Sequence, residues 1–179
     1  MFLDNSLSFG AGWSTPTAAI TATADGTNIV DVTGAGSGNA PAMINGFPNT
    51  NTAIGYDIGA GDGEAIPYLY VAVTTTGTGS GTVTISVSAA PDDGSYGQGT
   101  YTQLYQSMAF VGTNLVKGRF LVAPIPPTLW TFGEAMPRFY KITYTVSGTV
   151  GAVKFLSGIV LNPQLSTLGG QYNNNFLAV

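Results

Sequence analysis

The chain has 179 residues, a length that suits one domain with a sizeable core, and only 8 % of them are charged, for a net charge of −4. It contains no His and no Cys, which excludes disulfides, thiolate or imidazole catalysis and Cys-ligated zinc. Five cations are too few to build the phosphate-facing surface that duplex binding needs, so nucleic acid is not expected as a partner.

An ordinary soluble domain is about 25 % charged. Here Gly, Ser, Thr and Asn fill the polar positions instead, and weak like-charge repulsion favours assembly of copies. The N-terminus, MFLDNSLSFGAGW, lacks a basic region and reaches Asp4 early, so it does not read as a signal peptide. No apolar run approaches the roughly 18 residues of a membrane span. The expectation is a soluble protein made in a cytoplasm, with no membrane partner.

Strands are predicted at 17–23 and 27–32. Residues 34–53, GAGSGNAPAMINGFPNTNTA, form a Gly/Asn/Pro-rich insertion without periodicity, a length of loop that is usually functional or disordered. PYLYVAVTTT (67–76) is continuously apolar, as expected of a strand buried on both faces, whereas TVTISVSAA (82–90) alternates Val83, Ile85 and Val87 with Ser and Thr. Further strands are predicted at 101–110 and 118–123. RFYKITYTV (138–146) sets Tyr140, Ile142, Tyr144 and Val146 on one side, and AVKFLSGIVL (152–161) is again apolar on both. GTGSG (77–81), PDDGS (91–95) and SGTVG (147–151) supply the turns.

About eight strands with short Gly-rich links predict an all-β fold, a jelly roll or antiparallel β-sandwich with extended terminal arms. The domain spans 1–162 with the insertion at 34–53, followed by an arm at 163–179 whose apolar anchors are Phe176, Leu177 and Val179.

Candidate chemistry is sparse. Asp57, Asp62, Glu64, Asp92, Asp93 and Glu134 could supply a glycosidase carboxylate pair, but most lie in Gly-rich turns, where Asp is favoured because it bonds its own backbone. Asp57, Asp62 and Glu64 lack the alternation of an EF-hand calcium loop. GAGDG and GTGSG lead into no helix with a Lys-Ser/Thr pair, so they do not read as phosphate cradles. Tyr68, Tyr70, Tyr96, Tyr101 and Tyr105 are candidates for a sugar platform, though strand tyrosines are more often packing partners. Lys117, Arg119, Arg138 and Lys141 gather around a proline-rich crossing and suggest a modest basic patch. Pro124, Pro126 and Pro127 would end one strand there, with Pro137 starting the next.

In order along the chain, MFLDNSLSF, TNIVDVTG, DIGAGDGEAIPYLYVAVTT, GTVTISVSAAPDDGSY, LVKGRFLVAPIPP, PRFYKITYTVSG and GAVKFLSGIVLN together resemble the Bbp16 family of capsid cement proteins of tailed bacteriophages. The resemblance covers about residues 1–33 and 54–162. The chain departs from the pattern at 34–53, at 163–179 and in the DG within DIGAGDGEAIP. It implies a jelly-roll protein without a cofactor or enzymatic activity, placed on the outer capsid surface of a virion. It also implies the major capsid protein as partner, and self-association with a homo-dimer favoured over a trimer.

Candidate contacts with capsid or sister protomer are Phe2, Leu3, Phe9, Phe47, Arg119, Trp130, Phe132, Arg138, Tyr172, Phe176 and Leu177. The competing readings are a carbohydrate-binding jelly-roll module of a phage tail or receptor-binding protein and a glycan-processing enzyme.

Overall fold

A computed structural model of the chain describes residues 7–31, 43–44, 47–48, 67–91, 93, 95, 97–125 and 138–161. In chain order the strands are β1 (Ala24–Asp25), β2 (Val30–Asp31), β3 (Met43–Ile44), β4 (Phe47–Pro48), β5 (Pro67–Thr75) and β6 (Thr82–Ala90). They are followed by β7 (Thr102–Gln106), β8 (Phe110–Val111), β9 (Phe120–Pro124), β10 (Phe139–Ser147) and β11 (Lys154–Leu161). All pairings are antiparallel.

One sheet has the order β11-β5-β9, and the N-terminal segment extends it by bridges from Ser8 to Gly158 and from Ile20 to Val153. The other runs β1 and β2, then β10, β6, and β7 with β8. Leaving aside the β3–β4 hairpin, counting the bridged N-terminal segment as one position and β1 with β2 and β7 with β8 as interrupted strands gives eight positions in the two sheets. Successive positions switch sheets except at β6 to β7, which is the path of a jelly roll. The core lies between the sheets: Leu69, Val71, Val73, Phe155 and Ile159 face Val83, Ile85, Val87, Ile142 and Tyr144, all buried.

Sequence periodicity explains the long strands. In β6 the buried residues Val83, Ile85, Val87 and Ala89 alternate, and the nine residues pair with β10 without a shift from Thr82–Ser147 to Ala90–Phe139. β5 and β11 are buried on both faces, as their unbroken apolar runs predict: Ala72 and Val160 on the second face are 0 % exposed.

Three predicted elements come out differently. Residues 17–23 form a single bridge at Ile20, because the chain leaves β11 there and joins β10 at Ala24, crossing from one sheet to the other within four residues. The run 101–110 is cut at Ser107. Its N–H donates to the Ile85 carbonyl (2.8 Å), while its hydroxyl accepts from the Ile85 N–H (2.9 Å) and donates to the Met108 carbonyl (2.7 Å). The insertion 34–53, which shows no periodicity, nevertheless contains the hairpin β3–β4, with Ile44 opposite Phe47. The intervening dipeptide, Asn45-Gly46, is the sequence most favoured for a two-residue hairpin connection.

The two ends of the sandwich differ. At one, the connections β5–β6, β8–β9 and β10–β11 interlock backbone to backbone: Gly79 donates to Val150 (3.1 Å), Gly81 to Thr149 (2.7 Å), Gly112 to Gly81 (2.8 Å) and Gly77 to Leu115 (3.0 Å). A Cβ on Gly79 would sit on the Thr149 carbonyl. β2, β6, β9 and β11 finish, and β5, β7 and β10 begin, at the opposite end.

Tyr144 is fully buried; its ring stacks on Phe155 of the facing sheet (centroids 4.9 Å, 3° between planes) and its hydroxyl donates to Ser157 Oγ (2.7 Å). Burial pushes its phenol well above the ordinary tyrosine value, with the Ser157 bond opposing. Burial also pushes Tyr140 up to about 12.

Below pH 10 these tyrosines are neutral in both folded and unfolded chains. Above it the unfolded chain loses the protons first, so stability falls as pH rises from about 10 toward the raised folded values. A melting-temperature series from pH 8 to 12, read beside tyrosinate absorbance, should show loss of structure and ionisation together. Gly79→Ala should destabilise the fold by about 1–3 kcal/mol, because the added methyl must displace backbone rather than a side chain. Chemical denaturation of both proteins measures the difference.

Candidate functional site

Along β5, Leu69, Val71 and Val73 point into the core, so Tyr68, Tyr70 and Ala72 line the outer face of their sheet. Leu156 and Val160 of β11 and Val122 of β9 share that face, and all six pack as a second apolar cluster with Trp13. Gly158 makes room for the indole: a Cβ there would collide with the Trp13 ring. Trp13 meets Tyr70 in a tilted contact (6.0 Å, 58°), and Tyr70 stacks on Phe120 (6.0 Å, 19°).

Cover thins along this row. Tyr70 is 7 % exposed and Phe120 44 %. Burial raises the Tyr70 phenol above its usual value. The result is an apolar and aromatic surface that ends in a solvent-facing ring.

On the opposite sheet the outer face is polar. Lys141 pairs with Asp25 (3.3 Å) and lies over the Tyr101 ring (4.5 Å), Thr143 donates to Asp25 (2.6 Å), and the Tyr101 hydroxyl donates to Gln98 (2.9 Å). Burial, and then the Asp25 charge, push Tyr101 up to about 12.

The candidate basic patch does not form. Lys117 and Arg119 lead into β9, whereas Arg138 and Lys141 sit beside and on β10 in the other sheet. Arg138 is buried and forks onto Asp31 of β2 through two 3.0 Å bonds, Nε to Oδ1 and one terminal NH₂ to Oδ2. A guanidinium so placed ties β2 to the start of β10 and offers no surface, which corrects its expected contact role. Arg119 is exposed and donates to the Asn114 carbonyl (3.0 Å).

Phe9 also changes role. It is 0 % exposed, its N–H donates to Ser157 (2.9 Å) and its carbonyl accepts from Asn28 (3.0 Å), so it is core rather than contact. Phe47 lies in β4. Phe2, Leu3, Trp130, Phe132, Tyr172, Phe176 and Leu177 lie outside the described residues, as do Asp57, Asp62, Glu64, Asp92, Glu134 and Tyr96. Asp93 is a turn residue, its carboxylate accepting from Ser95 (2.7 Å) and Gly97 (2.9 Å).

The candidate sugar tyrosines are divided: Tyr68 and Tyr70 belong to one sheet, while Tyr101 and Tyr105 lie at or in β7 of the other. Trp13, Phe120, Val122 and Leu156 were not among the expected contacts. The apolar runs signalled a covered second face on β5 and β11, but Trp13 sits in an aperiodic segment that carries no such signal.

The two arginines should separate experimentally. Arg138→Gln removes the buried two-pronged ion pair with Asp31 and should lower stability by about 3–5 kcal/mol. Arg119→Gln, at the surface, should change it by less than about 0.5 kcal/mol. Equilibrium unfolding in urea gives both values.

No helix among the described residues is long and apolar enough to cross a membrane. No curated protein matches the chain. The Bbp16 family model matches residues 14–159, which take in most of both sheets, with Tyr70 and Phe120 of the aromatic row but not Trp13. The chain therefore belongs to the Bbp16 family, a phage-associated family.

Proposed function

We propose that this protein is a structural component of a phage virion that binds the outer capsid surface and cements neighbouring major capsid subunits, without catalysis or cofactor. The observation that carries the reading is the outer face of the β11-β5-β9 sheet, where an aromatic row ends in exposed Phe120 on a phage-family scaffold. Aromatic side chains supply large contact area with little rotamer freedom to lose.

A charge-poor surface also suits such a role, because burying it leaves few ions to desolvate. Grips of modest strength suffice. When one molecule spans two subunits, the second contact forms at high effective concentration and can raise avidity by roughly 10²–10⁴. The glycan reading is weaker, since its tyrosines occupy two different sheets.

The test is co-sedimentation with capsids stripped of surface proteins. Saturable, stoichiometric binding is expected, weakened at least about tenfold by Tyr68→Ala with Leu156→Ser on the aromatic face and unchanged by Thr145→Ala on the polar one. Absence of binding, or recovery of the protein only with tails, would overturn the reading.

A further inference from the structure

The described charges divide unevenly between the two sheets. Asp25 and Asp31, in β1 and β2, pair with Lys141 and Arg138 in the sheet built on β10, and Asp93 is held by turn amides in the β6–β7 connection. The other three cations, Lys117, Arg119 and Lys154, belong to the β11-β5-β9 sheet and to the turn that feeds it. Among the described residues no acid lies in that sheet, in the N-terminal segment bridged to it or in the glycine-bonded turns.

Strand register gathers these three cations at one corner. Lys154 stands opposite Thr75, and the Lys117 N–H donates to Thr76 Oγ1 (3.0 Å), so the two flank the same end of β5. Neighbouring strands lie about 4.8 Å apart, which sets the backbones of β11 and β9 about 10 Å from each other. That is about one Debye length at roughly 0.1 M salt, so the potentials of the cations overlap. Lys154 precedes Leu156 by two residues and shares its outer face of the sheet, the face of the aromatic row. Arg119 is exposed beside Phe120 and donates through one terminal nitrogen to the Asn114 carbonyl (3.0 Å).

The same corner is apolar. Val116 is 41 % exposed and Phe120 44 %, two of the three large hydrophobic side chains open to solvent among the described residues, and they bracket Lys117 and Arg119. A solvated charged turn has no need of such neighbours, whereas binding surfaces set apolar and aromatic anchors beside Arg.

We propose that this corner, continuous with the aromatic row, binds an acidic segment of the partner protein. An apolar side chain of that segment packs on Val116 and Phe120, and its carboxylates meet Lys117, Arg119 and Lys154. That the partner is the major capsid protein rests on the function proposed above; the chemistry of the segment follows from the corner itself. A neutral partner would bury these cations unmatched, at a cost in desolvation, and a basic one would be repelled. Carboxylates fit the planar fork of a guanidinium. Nucleic acid is a poorer occupant, since three cations neutralise few phosphates and Val116 offers no ring for a base to stack on.

Co-sedimentation with stripped capsids at about 0.05 and about 0.5 M salt reads the charge. Wild-type affinity should fall at least about tenfold with salt, and the triple variant Lys117→Gln, Arg119→Gln, Lys154→Gln should bind about tenfold more weakly at low salt and hardly respond to it. Lys141→Gln, on the polar face, should behave as wild type. Capsid binding that ignores salt and survives the triple change would overturn this proposal and leave the cement reading standing.

A second measurement uses purified protein alone, with a labelled random Glu–Tyr copolymer as probe and a Lys–Tyr copolymer and an oligo(dT) strand as comparisons. Fluorescence anisotropy should show wild type binding the Glu–Tyr chain at least about tenfold more tightly than either comparison, with binding lost in the triple variant. Equal binding of all three probes, tighter binding of the oligo(dT) strand, or retention by the triple variant would overturn the proposal independently of the capsids. Copolymer binding as expected without any capsid binding would overturn the choice of partner, and the cement reading with it.

The triple variant should keep the wild-type mass in sedimentation equilibrium and a melting temperature little changed. A smaller mass would make the occupant a second copy, and a markedly lower melting temperature would make it an acidic segment of the same chain; either overturns the proposal. Should the triple variant not fold, Lys154→Gln alone, on a different strand from the other two, should still weaken copolymer binding about threefold.

Discussion

The two sheets are held face to face around Tyr144. Its ring lies flat on Phe155 from the opposite sheet, and its hydroxyl reaches Ser157 two residues further along the same strand. Stacking contributes about 0.5–1.5 kcal/mol beyond burial, and the hydroxyl bond removes the penalty of an unpaired polar atom in the core. Because Ser157 also accepts the Phe9 N–H through its carbonyl, the same point fixes the N-terminal segment against β11. Outer-face geometry depends on that anchoring. Trp13 follows Phe9 by four residues, and it reaches Tyr70 only because the segment is pinned over Gly158.

Much of the fold was legible because its long strands obey simple periods. Val83, Ile85 and Val87 announce a strand with one buried face; the unbroken apolar runs at 67–76 and 152–161 announce two. What could not be read were the places where a local hydrogen bond overrides the period. Ser107 takes both main-chain groups of Ile85 and ends β7 while the sequence still looks like strand. Residues 17–23 contain apolar Ile20 and alternating Thr, but the chain changes sheets there, and that is a property of topology rather than of composition.

The groupings of surface side chains were less legible than the fold. Charge drew attention to Lys117, Arg119, Arg138 and Lys141 because cations are so rare in this chain. In the folded protein two of the four answer to acids brought from about a hundred residues away, Asp31 and Asp25. A linear sequence cannot show that pairing. The same is true of the aromatic row, whose members Trp13, Tyr70 and Phe120 come from three separate segments and meet only through strand order. Family resemblance identified the scaffold, and packing brought the aromatic row together.

The glycine-bonded end of the sandwich gives the molecule a direction. With turns there locked carbonyl to amide, that end tolerates neither extra length nor extra bulk. The segments 34–53 and 163–179 are attached at the other end, where β2 finishes, β5 begins and β11 stops. One end is therefore a fixed mould and the other a place for variation. A peptide grafted into 34–53 or a domain fused after Val179 would join the described strands at the end opposite the glycine-bonded turns.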